Sequence, residues 1–137
     1  MVSNAAESYP FDVFKRHCAS HMVLDLLSGK WTYLTVTALR QGRMRNAALA
    51  RKIEGISPKM LSQTLRGLEH DGLVLRTVHA EVPPRVEYEL TPLGEELAGL
   101  MDQICIWAQN HVPDILISRA ANGDAEAQAR LAAARVS

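Results

Sequence analysis

Cysteine is scarce in this sequence, and the other things it lacks narrow the field further. Two cysteines, Cys18 and Cys105, are too few for a disulfide framework. His17, Cys18 and His21 lie close together but lack a fourth ligand at a zinc-binding spacing, so no metal is expected. The apolar runs are short and broken by charge, which excludes a membrane span. The opening stretch MVSNAAESYPFDVFKRHC carries acids and no long apolar core, unlike a secretory signal, and a cytoplasmic protein is expected. No phosphate-binding glycine loop, nucleophile motif or convincing pair of carboxylates is present, so neither catalysis nor a cofactor is expected. Net charge is missing too, since 15 basic residues balance 15 acidic ones.

What remains describes a folded domain. A chain of 137 residues, 47% hydrophobic and 22% charged, is large enough to bury a core. The charge is neutral in sum but uneven in place. Residues 43–85 hold eight basic residues against four acidic, whereas residues 86–137 hold three against eight. A local positive excess of this kind is the footprint that nucleic-acid binding leaves.

The excess surrounds the stretch Ser57 to Leu68. Ser57 can cap a helix and Pro58 suits its first position, where no N–H donor is needed. Leu61, Leu65 and Leu68 recur at helical spacing and share one face with Thr64. Lys59, Ser62, Gln63 and Arg66 fall opposite, a face suited to phosphates and to the acceptor edges of bases in a major groove. An isolated helix with that face would more simply be a solvated surface. Its neighbours weigh against the simpler view.

Taken in order, Pro10 to Arg16 predicts a short turn with Phe11 and Phe14 inward. A helix follows from about Ala19, with Met22, Val23, Leu26 and Leu27 on one face, ending at Ser28-Gly29. A second covers Lys30 to Arg40, with Trp31 as a core anchor. A short helix from Arg45 to Ile53, with Leu49 and Ile53 inward, leads through Gly55 into the Ser57 helix, a helix-turn-helix order. Asp71-Gly72 ends that helix, with glycine as the cap. Leu73–Val78 and Arg85–Leu90 then read as two strands, separated by Pro83-Pro84, which cannot continue a ladder. Helix, turn, helix and a basic-rimmed hairpin make a winged helix-turn-helix, mainly α with a small β-hairpin.

Thr91-Pro92 opens a further helix whose apolar stripe comprises Leu93, Leu97, Leu100, Met101, Ile104 and Trp107. That stripe is longer than the rest of the chain can cover. A partner subunit is expected on it, the alternative being the chain's own N-terminal helix. Residues 1–112 are read as the domain with its dimerisation helices, the DNA-binding core being about 43–90. Residues 113–137 are read as a helical tail broken at Asn122-Gly123.

Four blocks resemble the HxlR-type winged-helix transcriptional regulators: Leu24–Trp31, Gly55–Leu61, Leu65–Val74 and Val82–Thr91. They stand in the family's order across about residues 18–108. The resemblance implies a homodimeric bacterial regulator of double-stranded DNA, with the Ser57 helix for recognition and the hairpin as wing. Ser57, Lys59, Ser62, Gln63 and Arg66 would line the recognition helix, with Gln63 and Arg66 pairing to bases. Arg45, Arg76 and Arg85 would hold phosphates, and Arg85 or His79 would reach the minor groove. The resemblance also places Cys18 where several members sense quinones, aldehydes or oxidants, which would make a small electrophile or another such effector the signal. Here Ala19 follows it instead of the family's usual proline, and Asn46 and Ala48 replace phenylalanine and glutamate before the turn. Cys18 as a packed core residue is the other reading. A winged-helix protein-interaction module without an operator is the alternative function.

Overall fold

The computed structural model describes residues 12–16 and 18–135. Its elements in chain order are α1 (Ser20–Ser28), α2 (Lys30–Leu39), β1 (Met44–Arg45), α3 (Asn46–Lys52), α4 (Pro58–His70), β2 (Val74–His79), β3 (Arg85–Leu90), α5 (Pro92–Ala121) and α6 (Ala125–Ala134). Residues 1–98 and 99–137 form two compact units. Among the described residues, no helix is long and apolar enough to cross a membrane.

The core of the first unit is built by the helices that the leucine spacing marks. Thr35, Val36, Ala38 and Leu39 of α2 meet Leu49 of α3, the loop residue Ile53, and Leu61, Leu65 and Leu68 of α4, all buried. Burial of each such leucine contributes roughly 1.5–3 kcal/mol. Trp31 is half-buried rather than a central anchor, and Lys30 Nζ lies 4.7 Å over its ring. The turn expected before α1 is formed over residues 13–16, but it does not carry Phe14 inward. Asp12 instead accepts from the Phe14 amide through its side chain and from the Lys15 amide through its carbonyl. That local turn leaves Phe14 94% exposed, while Phe11 lies outside the described residues.

The sheet has three strands where two were expected. β1 joins it in the order β1-β3-β2, pairing Met44 with Tyr88 and Arg45 with Glu87. A strand of two residues has no periodicity to read, so only tertiary pairing defines it. The hairpin register sets Val74 against Leu90, Arg76 against Tyr88 and Val78 against Val86 on one face. Leu75–Glu89, Thr77–Glu87 and His79–Arg85 alternate with them on the other.

Thr91 locks the hairpin to the helix after it. Its hydroxyl donates to the Gly72 carbonyl at 2.7 Å and accepts from the Gly94 amide at 3.1 Å, while its own amide donates to the Leu73 carbonyl. In the second unit, α5 runs through Pro113 without ending there. A proline removes one i→i−4 bond but leaves the rest of a long helix intact. Gly123, with φ +90°, then turns the chain, and Asp124 caps α6 by accepting from the Ala127 amide at 2.9 Å.

Candidate nucleic-acid interface

The turn between α3 and α4 is fixed by Gly55, whose φ of +86° is a conformation that L side chains rarely adopt. Ser57 then starts α4: its hydroxyl oxygen accepts from the Met60 amide at 3.1 Å, and Pro58 fills the first position. Ser57 therefore works first as a cap. Opposite the three buried leucines, Lys59, Gln63, Arg66 and His70 form an exposed row at spacings of three and four. His70 is absent from the sequence-derived set. Its spacing continues the row, but it stands beside the Asp71-Gly72 terminus, where a sequence reads as a stop.

The hairpin presents two different faces. On the side toward α4, Ser62, Arg66 and Glu69 meet Arg76 and Tyr88 around an open cleft of about 430 Å³. Arg76 and Tyr88 are direct cross-strand neighbours, so the register places them together. Tyr88 and Glu69 join Arg66, Arg76 and Ser62 there although the sequence gives no sign of it, because strand register decides it.

The other face neutralises itself. Glu87, with its side chain only 16% exposed, has Arg85 Nε at 3.0 Å, His79 Nε2 at 3.2 Å and Arg43 Nε at 3.6 Å. The Arg85 and His79 nitrogens are buried and close to Glu87, yet not aligned for hydrogen bonds. Arg43 also reaches Glu89 at 3.2 Å, and Arg85 reaches Glu81 at 3.4 Å. Arg45 stands on this face opposite Glu87 but makes no ion pair with the described residues, and neither do Lys59, Arg66 and Arg76. Around the recognition helix and hairpin, then, Lys59, Arg66, Arg76 and Arg45 carry charge that no described residue pairs, whereas Arg85 and His79 at the tip of the wing lie against Glu87.

Residues 26–115 match the model of the HxlR-like helix-turn-helix family. This chain belongs to that family. It is 41% identical over 108 residues to YtfH of Escherichia coli (strain K12), an uncharacterized HTH-type transcriptional regulator, covering 79% of this chain and 86% of YtfH. The solved structure of ytfH from Salmonella typhimurium superposes with a TM-score of 0.73 at 39% identity, over 81% of this chain and 99% of the other. The redox regulator HypR in its oxidized form gives a TM-score of 0.63 at 35% identity, over 68% of this chain and 96% of HypR. The HxlR-like chain is thus a transcriptional regulator with a helix-turn-helix DNA-binding fold, as its four sequence blocks imply.

Two further features of this HxlR-like protein bear on its control. Cys18 is buried, and its Sγ lies 3.0 Å from Ser20 Oγ. Hydrogen bonding from the Ser20 hydroxyl, then from its backbone, holds the thiol below its ordinary value against the opposing effect of burial. Lys15 and Arg16, both exposed, are not among the causes that lower it, and His17 lies outside the described residues. The apolar stripe of α5 divides in two. Leu97 and Met101 are buried within the chain at 8% and 0%, whereas Leu93, Leu100, Ile104 and Trp107 are 45–58% exposed.

Proposed function

We propose that this chain is a homodimer that binds a near-palindromic operator, with α4 in the major groove and the hairpin in the adjoining minor groove. The observation that carries this reading is the row Lys59, Gln63, Arg66 and His70, exposed and unpaired on a helix anchored by three buried leucines. Such a face offers donors and positive charge to a duplex that bears acceptors and negative charge. The exposed side chains of Leu93, Leu100, Ile104 and Trp107 support self-association, as do Met22 and Val23 on α1, 64% and 43% exposed. Two-fold symmetry would space the recognition helices by about 34 Å, one turn of DNA, or a multiple of it.

The test is a gel shift with DNA upstream of the chain's own gene, competed by unrelated DNA. Retention under competition supports operator binding. Equal competition by any duplex, or no shift, would favour a protein-interaction module. Gln63→Ala is expected to reduce the preference for operator over random DNA by about 1–3 kcal/mol, because Gln63 presents both a donor and an acceptor to a base edge. Competition titrations measure it, and an undiminished preference would remove Gln63 from the reading surface.

Cys18 is proposed as the control point, on the strength of its lowered thiol and of the likeness to HypR, a redox regulator. A lowered value keeps the thiolate populated to lower pH than in a free cysteine. Alkylation of Cys18 is therefore expected to persist further toward acid than that of a free thiol, and to fall as pH drops through its own lowered value. Treatment with a quinone or mild oxidant should release wild type from DNA and leave Cys18→Ser bound. Equal responses of the two proteins would return Cys18 to a packing role.

A further inference from the structure

The sugar–phosphate strand that separates the two grooves of a duplex must pass between a helix in one and a wing in the other. In this protein the space between those elements is the cleft of Ser62, Arg66, Glu69, Arg76 and Tyr88. Resting on the operator-binding reading above, we propose that this cleft seats a single backbone phosphate, held jointly by Arg66 from the helix and Arg76 from the strand.

Both arginines are exposed and make no ion pair with the described residues, so both guanidinium groups are free to take an anion. Guanidinium groups suit phosphate because their planar donors match its oxygens. Ser62 and Tyr88, half-buried on the same cleft, each supply a hydroxyl donor for the remaining oxygens. Glu69 is the opposing group: its carboxylate repels an anion and confines it to the side of the two arginines. Arg66 therefore fixes the register of the duplex, and base reading falls to Gln63 and Lys59. This reverses the role that its place in the exposed row suggests. It also explains how the wing engages the backbone although Arg85 and His79 are held against Glu87.

The experiment begins with a duplex selected by the intact protein from a random-sequence pool. Failure to select any duplex would sink the operator-binding reading itself. With a duplex in hand, single phosphates are replaced one at a time by neutral methylphosphonates. Wild type is expected to lose affinity at one position in each half-site, Arg66→Ala and Arg76→Ala each to lose less at that same position, and the double variant to lose least there. The double variant should flatten the salt dependence by about 0.9 in the slope of log affinity against log salt for each protomer, the value for one phosphate. A flattening near twice that would mean two separate phosphates and would overturn the proposal, as would a double variant as sensitive as wild type at that position, or single variants that change the sensitivity at two different positions. Glu69→Gln should tighten binding to every sequence, and unchanged or weaker binding would also count against the cleft. Saturable binding of inorganic phosphate without DNA, with no position sensitive to methylphosphonate, would assign the site to a free phosphate ester instead. Matching thermal melts of all variants would separate these outcomes from misfolding.

Discussion

Replacing Leu100 and Ile104 together with aspartate is expected to yield a folded monomer whose operator affinity falls by roughly 10²–10⁴-fold. Both side chains are exposed in the protomer, at 58% and 45%, so the change adds charge where the chain's own core is not disturbed. In a dimer the same positions are covered, and an unpaired carboxylate there costs several kcal/mol per copy. A monomer keeps its recognition helix but loses the linkage that makes the second half-site an intramolecular event. Sedimentation equilibrium reads the assembly, circular dichroism the fold, and a gel shift the affinity. Met101 would be the wrong target on the same stripe, because it is fully buried and its replacement tests folding alone. A wild type that sediments as a monomer at micromolar concentration, or a double variant that stays dimeric, would remove α5 from the interface.

The two halves of that stripe illustrate what a sequence can and cannot disclose. Helical spacing places Leu97, Leu100, Met101 and Ile104 on one side of α5, but it carries no sign of which of them the chain itself covers. The same limit applies to charge. Arg43 and Arg85 count toward the positive excess of residues 43–85, yet their partners Glu87 and Glu89 on β3 fall in the next segment and offset them. A window along the chain therefore overstates the wing and understates the cleft. By contrast α4 was legible almost to the residue, because its cap, first-position proline and leucine period all act within the helix. β3 was equally plain, with alternation over Arg85–Leu90 bounded by prolines and Thr91. β1 was not, since two residues cannot show a period. Phe14 is the opposite case, an aromatic whose identity points inward while the Asp12 turn sets it outward.

Gly94→Ala is expected to destabilise the first unit by about 3 kcal/mol, although it exchanges the weaker helix former for the better one. A Cβ at Gly94 would lie 2.1 Å from the Leu73 carbonyl oxygen, 3.1 Å from the Leu73 carbonyl carbon and 3.2 Å from Leu90 Cδ2. The nearest atoms are backbone and cannot swing aside as the end of a long side chain could. That carbonyl already accepts the Thr91 amide, so relief of the clash must part the start of α5 from the turn before β2. The movement would also strain the Thr91 bond to Gly72, which holds the same junction. Gly67→Ala provides the contrast: nothing lies within 4 Å of its Cβ position, and it stands inside α4. There the same substitution should stabilise by about 0.5–1 kcal/mol, through helix propensity alone. Thermal and denaturant melts of the two variants should therefore move in opposite directions from wild type. A Gly94→Ala protein as stable as wild type would mean that α5 does not begin against the Leu73 carbonyl. The wing would then lose the anchor that holds Arg76 beside Arg66.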